Sequence, residues 1–120
     1  MISIFKFHFI LSLSAIFIAF LAITTSASAI TTIPIGGGPF YSIAVGTKVY
    51  ATNQTDGTVS VINTLTDTVS TTIPIYNTGT SYFINTIGNK IYIMNQAYGG
   101  IAVIDTITDT LLTTILLEAG

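Results

Sequence analysis

"TVSVINTLTDTVSTTIPI", Thr58 to Ile75, and "GIAVIDTITDTLLTTILL", Gly100 to Leu117, are two versions of one phrase set 42 residues apart. Extending the overlap lays Gly46–Ile73 on Gly88–Ile115, and 15 of these 28 positions are identical, which marks an internal duplication. The shared residues include Gly46, Lys48, Tyr50, Asn53, Gln54, Gly57, Asp67 and Ile73. A period of about 40 residues is that of a propeller blade, among other repeat units.

Composition inside the unit decides between helix and strand. Val, Ile, Thr and Tyr dominate, and branched or aromatic side chains suit a pleated backbone. Punctuation recurs every 8 to 12 residues, as expected for short antiparallel strands. The spacing predicts strands at Tyr41–Val45, Lys48–Thr52, Thr58–Asn63 and Thr68–Pro74, then at Phe83–Ile87, Lys90–Met94, Gly100–Asp105 and Thr110–Leu116. Gly46-Thr47 and Gly88-Asn89 read as two-residue hairpin turns with glycine where φ is positive. Asp56-Gly57 and Gly99-Gly100 close the second hairpins, and Asn63 or Asp105 caps the third turn with its side chain. "VSVI" and "IAVI" are apolar on nearly every residue, which suits strands covered on both faces.

These residues resemble the YVTN-type β-propeller repeat. Val49-Tyr50-Ala51-Thr52-Asn53 carries the name motif with Ala for Val, and Ile91-Tyr92-Ile93-Met94-Asn95 is a looser copy. Ile33-Pro34-Ile35-Gly36-Gly37-Gly38-Pro39 matches the family's inter-blade loop, whereas the second loop, Ile75 to Tyr82, has lost the glycine run. The resemblance implies an all-β fold: two consecutive four-stranded antiparallel propeller blades, an incomplete propeller, after an N-terminal signal helix. It also implies an exported or cell-surface protein whose full-length relatives form rings. It says little about activity, because propellers host many unrelated functions.

The N-terminus supports export independently. "MISIFKFHFILSLSAIFIAFLAITTSASA" has one lysine, an apolar core from Phe9 to Ile23, and small residues at Ala27-Ser28-Ala29, so residues 1–29 read as a signal peptide cut after Ala29. That core is shorter than the roughly 20 residues a membrane span requires. The expected location is therefore periplasmic, secreted or cell-surface, with no membrane attachment after cleavage. The remaining chain keeps Lys48 and Lys90 against five acids, a formal charge of −3, with no means of holding nucleic acid.

Propellers usually have about 4 to 8 blades, and this chain encodes two. Thr31–Ile35 copies Thr71–Ile75 and is expected to be a leading outer strand, ahead of blades at 40–75 and 82–117. Three arrangements remain open: a piece of a longer propeller, a head-to-tail ring of copies, or a two-blade sandwich. Repeat arrays generally need three units and polar caps. The first arrangement is therefore expected, with further blades, self-association as a homo-oligomer, or a protein partner covering the open faces.

Candidate sites are few. The sole histidine, His8, lies in the signal segment and there is no cysteine, which removes the usual ligands for zinc, copper and haem and the base of a catalytic triad. No catalytic residue, metal site or cofactor is expected. A calcium site at Asp105 and Asp109 lacks the EF-hand spacing, and both acids read first as turn residues. The sequon Asn53-Gln54-Thr55 matters only in a host that glycosylates, and Gly36–Pro39 lacks the lysine and helix of a phosphate loop. Asn53, Gln54, Asn95 and Gln96 follow the second strand of each unit. They are either turn caps or a ring of amides for a small polar ligand at the propeller mouth. Tyr50 and Tyr92 read as inter-blade packing, and Phe40, Tyr41, Tyr82 and Phe83 as better candidates for ligand contact. The leading functional reading is a non-enzymatic interaction or surface scaffold; the alternative is a ligand-binding module completed by self-assembly.

Overall fold

The computed structural model describes residues 29–75, 81–96 and 99–118. The chain divides into two units, Met1–Thr31 and Thr32–Gly120, and the expected signal segment lies outside the described residues. Among the described residues, no helix is long and apolar enough to cross a membrane.

Among the described residues eight strands follow one another: β1 (Pro39–Val45), β2 (Lys48–Asn53), β3 (Thr58–Asn63), β4 (Thr68–Pro74), β5 (Ser81–Ile87), β6 (Lys90–Asn95), β7 (Gly100–Asp105) and β8 (Thr110–Leu116). They form two four-stranded antiparallel meanders, β1-β2-β3-β4 and β5-β6-β7-β8. Four of the eight strands have the bounds expected from sequence. The rest extend by one or two residues, because the register carries Pro39↔Asn53 and Ser81↔Asn95 past a bulge. In the first sheet Thr52 bridges that bulge: its Oγ1 accepts from the Tyr41 amide at 3.1 Å and donates to the Tyr41 carbonyl at 3.2 Å. The third hairpin of each sheet is bulged at the same place, after Val61 and after Val103.

Turn chemistry repeats as well. Gly46 and Gly88 sit at φ 59° and 56°, where a side chain would be strained. Asp67 and Asp109 hold φ 52° and 54°, a conformation that aspartate tolerates better than most residues. Asn63 Oδ1 accepts from the Leu65 amide at 2.8 Å, and Asp105 Oδ1 from the Ile107 amide at 2.7 Å.

Register assigns the faces. Ile43, Tyr50 and Val61 lie in one row of sheet 1, and Thr52, Val59 and Ile73 in the next. In sheet 2 the rows are Ile84–Ile93–Ala102 and Ile91–Ile104–Leu111. These two faces meet, and Tyr50, Val59, Val61, Ile73, Ile91, Ile93, Ala102 and Ile104 form one buried core. The repeat makes the arrangement directional: sheet 1 contributes its Tyr50 face, whereas sheet 2 contributes the face opposite Tyr92. One sheet is therefore stacked on the back of the other, like successive blades. The wedge shape follows, since β1 lies close along β5 while β4 and β8 touch only sparsely.

One expectation is not met. Residues 31–35 form no strand and run as irregular chain. A strand needs a neighbour to satisfy its backbone groups, and among the described residues neither sheet takes 31–35 as a fifth strand.

Candidate functional site

The most developed polar cluster lies between the two blades. Lys48 opens β2 and Tyr50 follows it on the same face, two residues along a strand whose side chains alternate. Both point to the β7–β8 turn. Lys48 Nζ lies 2.6 Å from Asp109 Oδ2 and donates to the Thr106 carbonyl at 3.1 Å. The Tyr50 hydroxyl donates to Asp109 Oδ1 at 2.6 Å, with the Thr106 carbonyl 3.4 Å away. Asp109 thus spends one oxygen on each partner. Tyr50 is fully buried, while the Lys48 and Asp109 side chains are 31% and 18% exposed. Burial, and then the hydrogen bond to Asp109, hold the Tyr50 phenol well above its ordinary value. Such a cluster suits alignment of two blades; a fully buried phenol that keeps its proton offers no ready base.

The local fold presents Asp109 to its partners. Thr106 donates from its amide and from Oγ1 to the Asn89 carbonyl, at 2.9 and 3.1 Å. Asp105 caps Ile107 and Thr108, and Thr108 Oγ1 pairs with Thr110 Oγ1 at 2.8 Å. Both carboxylates considered for calcium thus have protein partners. Among the described residues no three His, Cys, Asp or Glu side chains come together.

The amides suggested by sequence occupy different surroundings. Asn53 and Asn95 are 1% and 0% exposed. Asn53 Nδ2 donates to Thr58 Oγ1 at 3.0 Å and to Ser60 Oγ at 2.9 Å, across its own hairpin. Its Oδ1 and the Gln54 Nε2 find no partner among the described residues. Gly100 and Ala102 stand where Thr58 and Ser60 do, so Asn95 cannot copy that pairing. Gln54 is half-buried and Gln96 exposed.

Above Asn53 the glycine run forms a clip. The Gln54 and Thr55 amides donate to the Gly38 and Gly37 carbonyls at 2.9 and 3.1 Å, and the Gly37 amide to Asp56 Oδ2 at 2.7 Å. A Cβ on Gly36 would stand 2.7 Å from Asn53 Nδ2, so the run is a packing device for this turn. Of the aromatics proposed for ligand contact, Phe40, Tyr41 and Phe83 are 57%, 40% and 67% exposed; Phe40 and Tyr41 meet edge to face at 4.8 Å. The Tyr82 side chain lies outside the described residues.

Sequence reasoning placed Lys48, Tyr50 and Asp109 in strands and turns without joining them. The available signal was that Lys48, Tyr50 and Asp67 all recur at +42, among 15 positions that do.

No protein-family model matches the sequence, and no curated protein matches it. Solved structures do. The chain is similar to apo AztD from Citrobacter koseri, with a TM-score of 0.67 and 18% identity over 79% of this chain and 28% of that one. A second AztD structure from the same organism gives 0.65 and 17%, over 81% and 29%. Dihydro-heme d1 dehydrogenase NirN in complex with DHE gives 0.60 and 17%, over 76% and 22%. These neighbours are β-propellers, and at this identity they show the fold alone. The chain spans less than a third of the length of each.

Proposed function

We propose that the chain is an exported, non-enzymatic repeat protein of the YVTN type that serves as an interaction or surface scaffold, its two blades being a segment of a larger ring. One observation carries this reading: the sheet face buried in blade 1 is open in blade 2. Thr52, Val59 and Ile73 are 1%, 0% and 4% exposed, whereas their equivalents Met94 and Ile115 are 39% and 45% exposed and Ile101 is half-buried. A polar active-site wall does not look like this; an unfinished blade interface does. The YVTN assignment rests on "VYATN" and the "IPIGGGP" loop, and export on the apolar N-terminus ending in Ala27-Ser28-Ala29. The alternative, a small polar ligand held by Asn53, Gln54, Asn95 and Gln96, has less support because Asn53 and Asn95 are closed to solvent.

The test is expression with the native N-terminus, followed by fractionation and N-terminal sequencing. An exported chain beginning at Ile30, which associates in sedimentation experiments, is expected. A chain retained inside the cell with Met1 intact contradicts the export half. A strictly monomeric chain at high concentration contradicts the scaffold half.

A further inference from the structure

We infer that this chain associates head to tail through a defined polar latch, in which Asp67 of one copy docks on Lys90 and Tyr92 of a second copy. The inference rests on the propeller-segment reading above and adds the partner, the direction and the residues.

The latch already exists once inside the chain, where Asp109 of blade 2 takes Lys48 and Tyr50 of blade 1. Shifting by one repeat turns Lys48 and Tyr50 into Lys90 and Tyr92, and Asp109 into Asp67. All three residue types are retained. Lys90 and Asp67 are exposed and Tyr92 is half-buried, whereas Tyr50 is fully buried. The two described blades therefore present the two unmatched halves of their own internal contact, a basic socket on blade 2 and an acidic plug on blade 1. A surface that is complementary to another surface of the same molecule makes a heterologous contact, which propagates from copy to copy.

The plug is preformed. Asp67 has φ 52° against 54° for Asp109. Thr64 donates from its amide and Oγ1 to the Thr47 carbonyl at 3.0 and 2.9 Å, as Thr106 does to Asn89. Thr66 and Thr68 pair at 2.8 Å, as Thr108 and Thr110 do. The socket is preformed as well, since Lys90 and Tyr92 lie two apart on β6 in the register of Lys48 and Tyr50 on β2. Beside the socket runs the apolar row Phe83, Met94, Ile101 and Ile115, awaiting a sheet. The matching back face of blade 1 carries the half-buried Val49 and Ile62 and the buried Ala51, and an open groove of about 290 Å³ remains there beside Ile35. Charge fixes the direction of docking, because Lys90 meets a carboxylate in this orientation.

The experiment mixes isotope-labelled and unlabelled full chains and couples contacting amine–carboxylate pairs with a zero-length carbodiimide, which condenses lysine and aspartate to an amide with loss of water. Cross-linked peptides are read by mass spectrometry. A Lys48–Asp109 link within one chain and a Lys90–Asp67 link between labelled and unlabelled chains are expected. Lys90→Glu, or Asp67→Asn, which keeps a residue tolerant of the turn, should remove the second link, spare the first, and weaken association about tenfold. The first link without the second overturns the latch while leaving blade stacking intact. Loss of both overturns the propeller-segment reading too. Association unchanged in both variants also overturns the latch.

Discussion

The Tyr50 hydroxyl donates a 2.6 Å hydrogen bond to Oδ1 of Asp109, a residue one repeat and one turn further along the chain. The same carboxylate binds Lys48 through its other oxygen. One turn, through the Asp109 carboxylate and the Thr106 carbonyl, thereby orients two blades that otherwise meet through a shared apolar core. Hydrophobic burial brings the sheets together; the latch sets which face meets which and at what register.

Asp67 and Asp109 are the same turn residue in different settings, and this predicts unequal costs. Asp109→Asn keeps a residue suited to left-handed φ but removes the charge facing Lys48 and leaves one acceptor oxygen where Tyr50 and Lys48 had two. Denaturant unfolding should show a loss of about 1–3 kcal/mol. Asp67→Asn, on an exposed turn, should change the stability of the dilute chain by less than about 0.5 kcal/mol. Equal losses would mean that the contact contributes little.

Alkaline pH supplies a second test. The Tyr50 phenol is held above its ordinary value by burial and by Asp109. In the unfolded chain it ionises near about pH 10, while the folded chain keeps the proton. Above that pH the unfolded state binds fewer protons than the native state, so stability falls as pH rises. Below it the contribution is constant. The expected slope from this group approaches about 1.4 kcal/mol per pH unit. Tyr50→Phe should be less stable at neutral pH and decline less steeply beyond about pH 10. Identical slopes in the two proteins would contradict the assignment.

The glycine clip predicts a steric effect. Gly36→Ala places a methyl 2.7 Å from Asn53 Nδ2 and 2.8 Å from Asp56 Oδ2. Asp56 can swing aside, but the buried Asn53 amide cannot do so freely, so the clip loosens and bonds such as Gly37 N to Asp56 weaken. A loss of about 1–3 kcal/mol in equilibrium unfolding is expected, as for other overpacked sites. Gly46→Asn is the control, since a Cβ there meets nothing and asparagine accepts positive φ at modest cost.

The open face of blade 2 predicts a separation of solubility from stability. Phe83→Thr and Ile115→Thr remove apolar groups that are 67% and 45% exposed. Light scattering should show weaker association, while the unfolding midpoint of the dilute chain moves little. Val61→Thr, at the buried core, should instead cost stability, by about 1–3 kcal/mol. If the surface changes unfold the dilute chain as Val61→Thr does, the face is already covered.

Much of the fold was legible because each strand carries its own local signal. Thr58–Asn63 and Gly100–Asp105 carry short apolar runs that end at side-chain caps, and Gly46 and Gly88 mark turns that only a few residue types can make. The latch was harder to read. Asp109 looks like an ordinary turn aspartate, and its partners lie 59 and 61 residues away across a blade boundary. Repetition was the one sign, since a charge and a phenol kept through a duplication suggest a shared task. Thr31–Ile35 misled for the opposite reason. Its sequence copies an outer strand, but strand formation depends on a partner edge that local sequence does not contain.

The most direct test of blade stacking is a double-mutant cycle on Tyr50→Phe and Asp109→Gly, which removes both carboxylate oxygens and suits the left-handed φ of 54°, with unfolding free energies measured near neutral pH for the four proteins. Two residues in contact across the blades should couple by about 1 kcal/mol or more. A coupling indistinguishable from zero, with all four proteins folded, would show that these two β-meanders do not meet through this turn, and the stacked-blade account would fall with it.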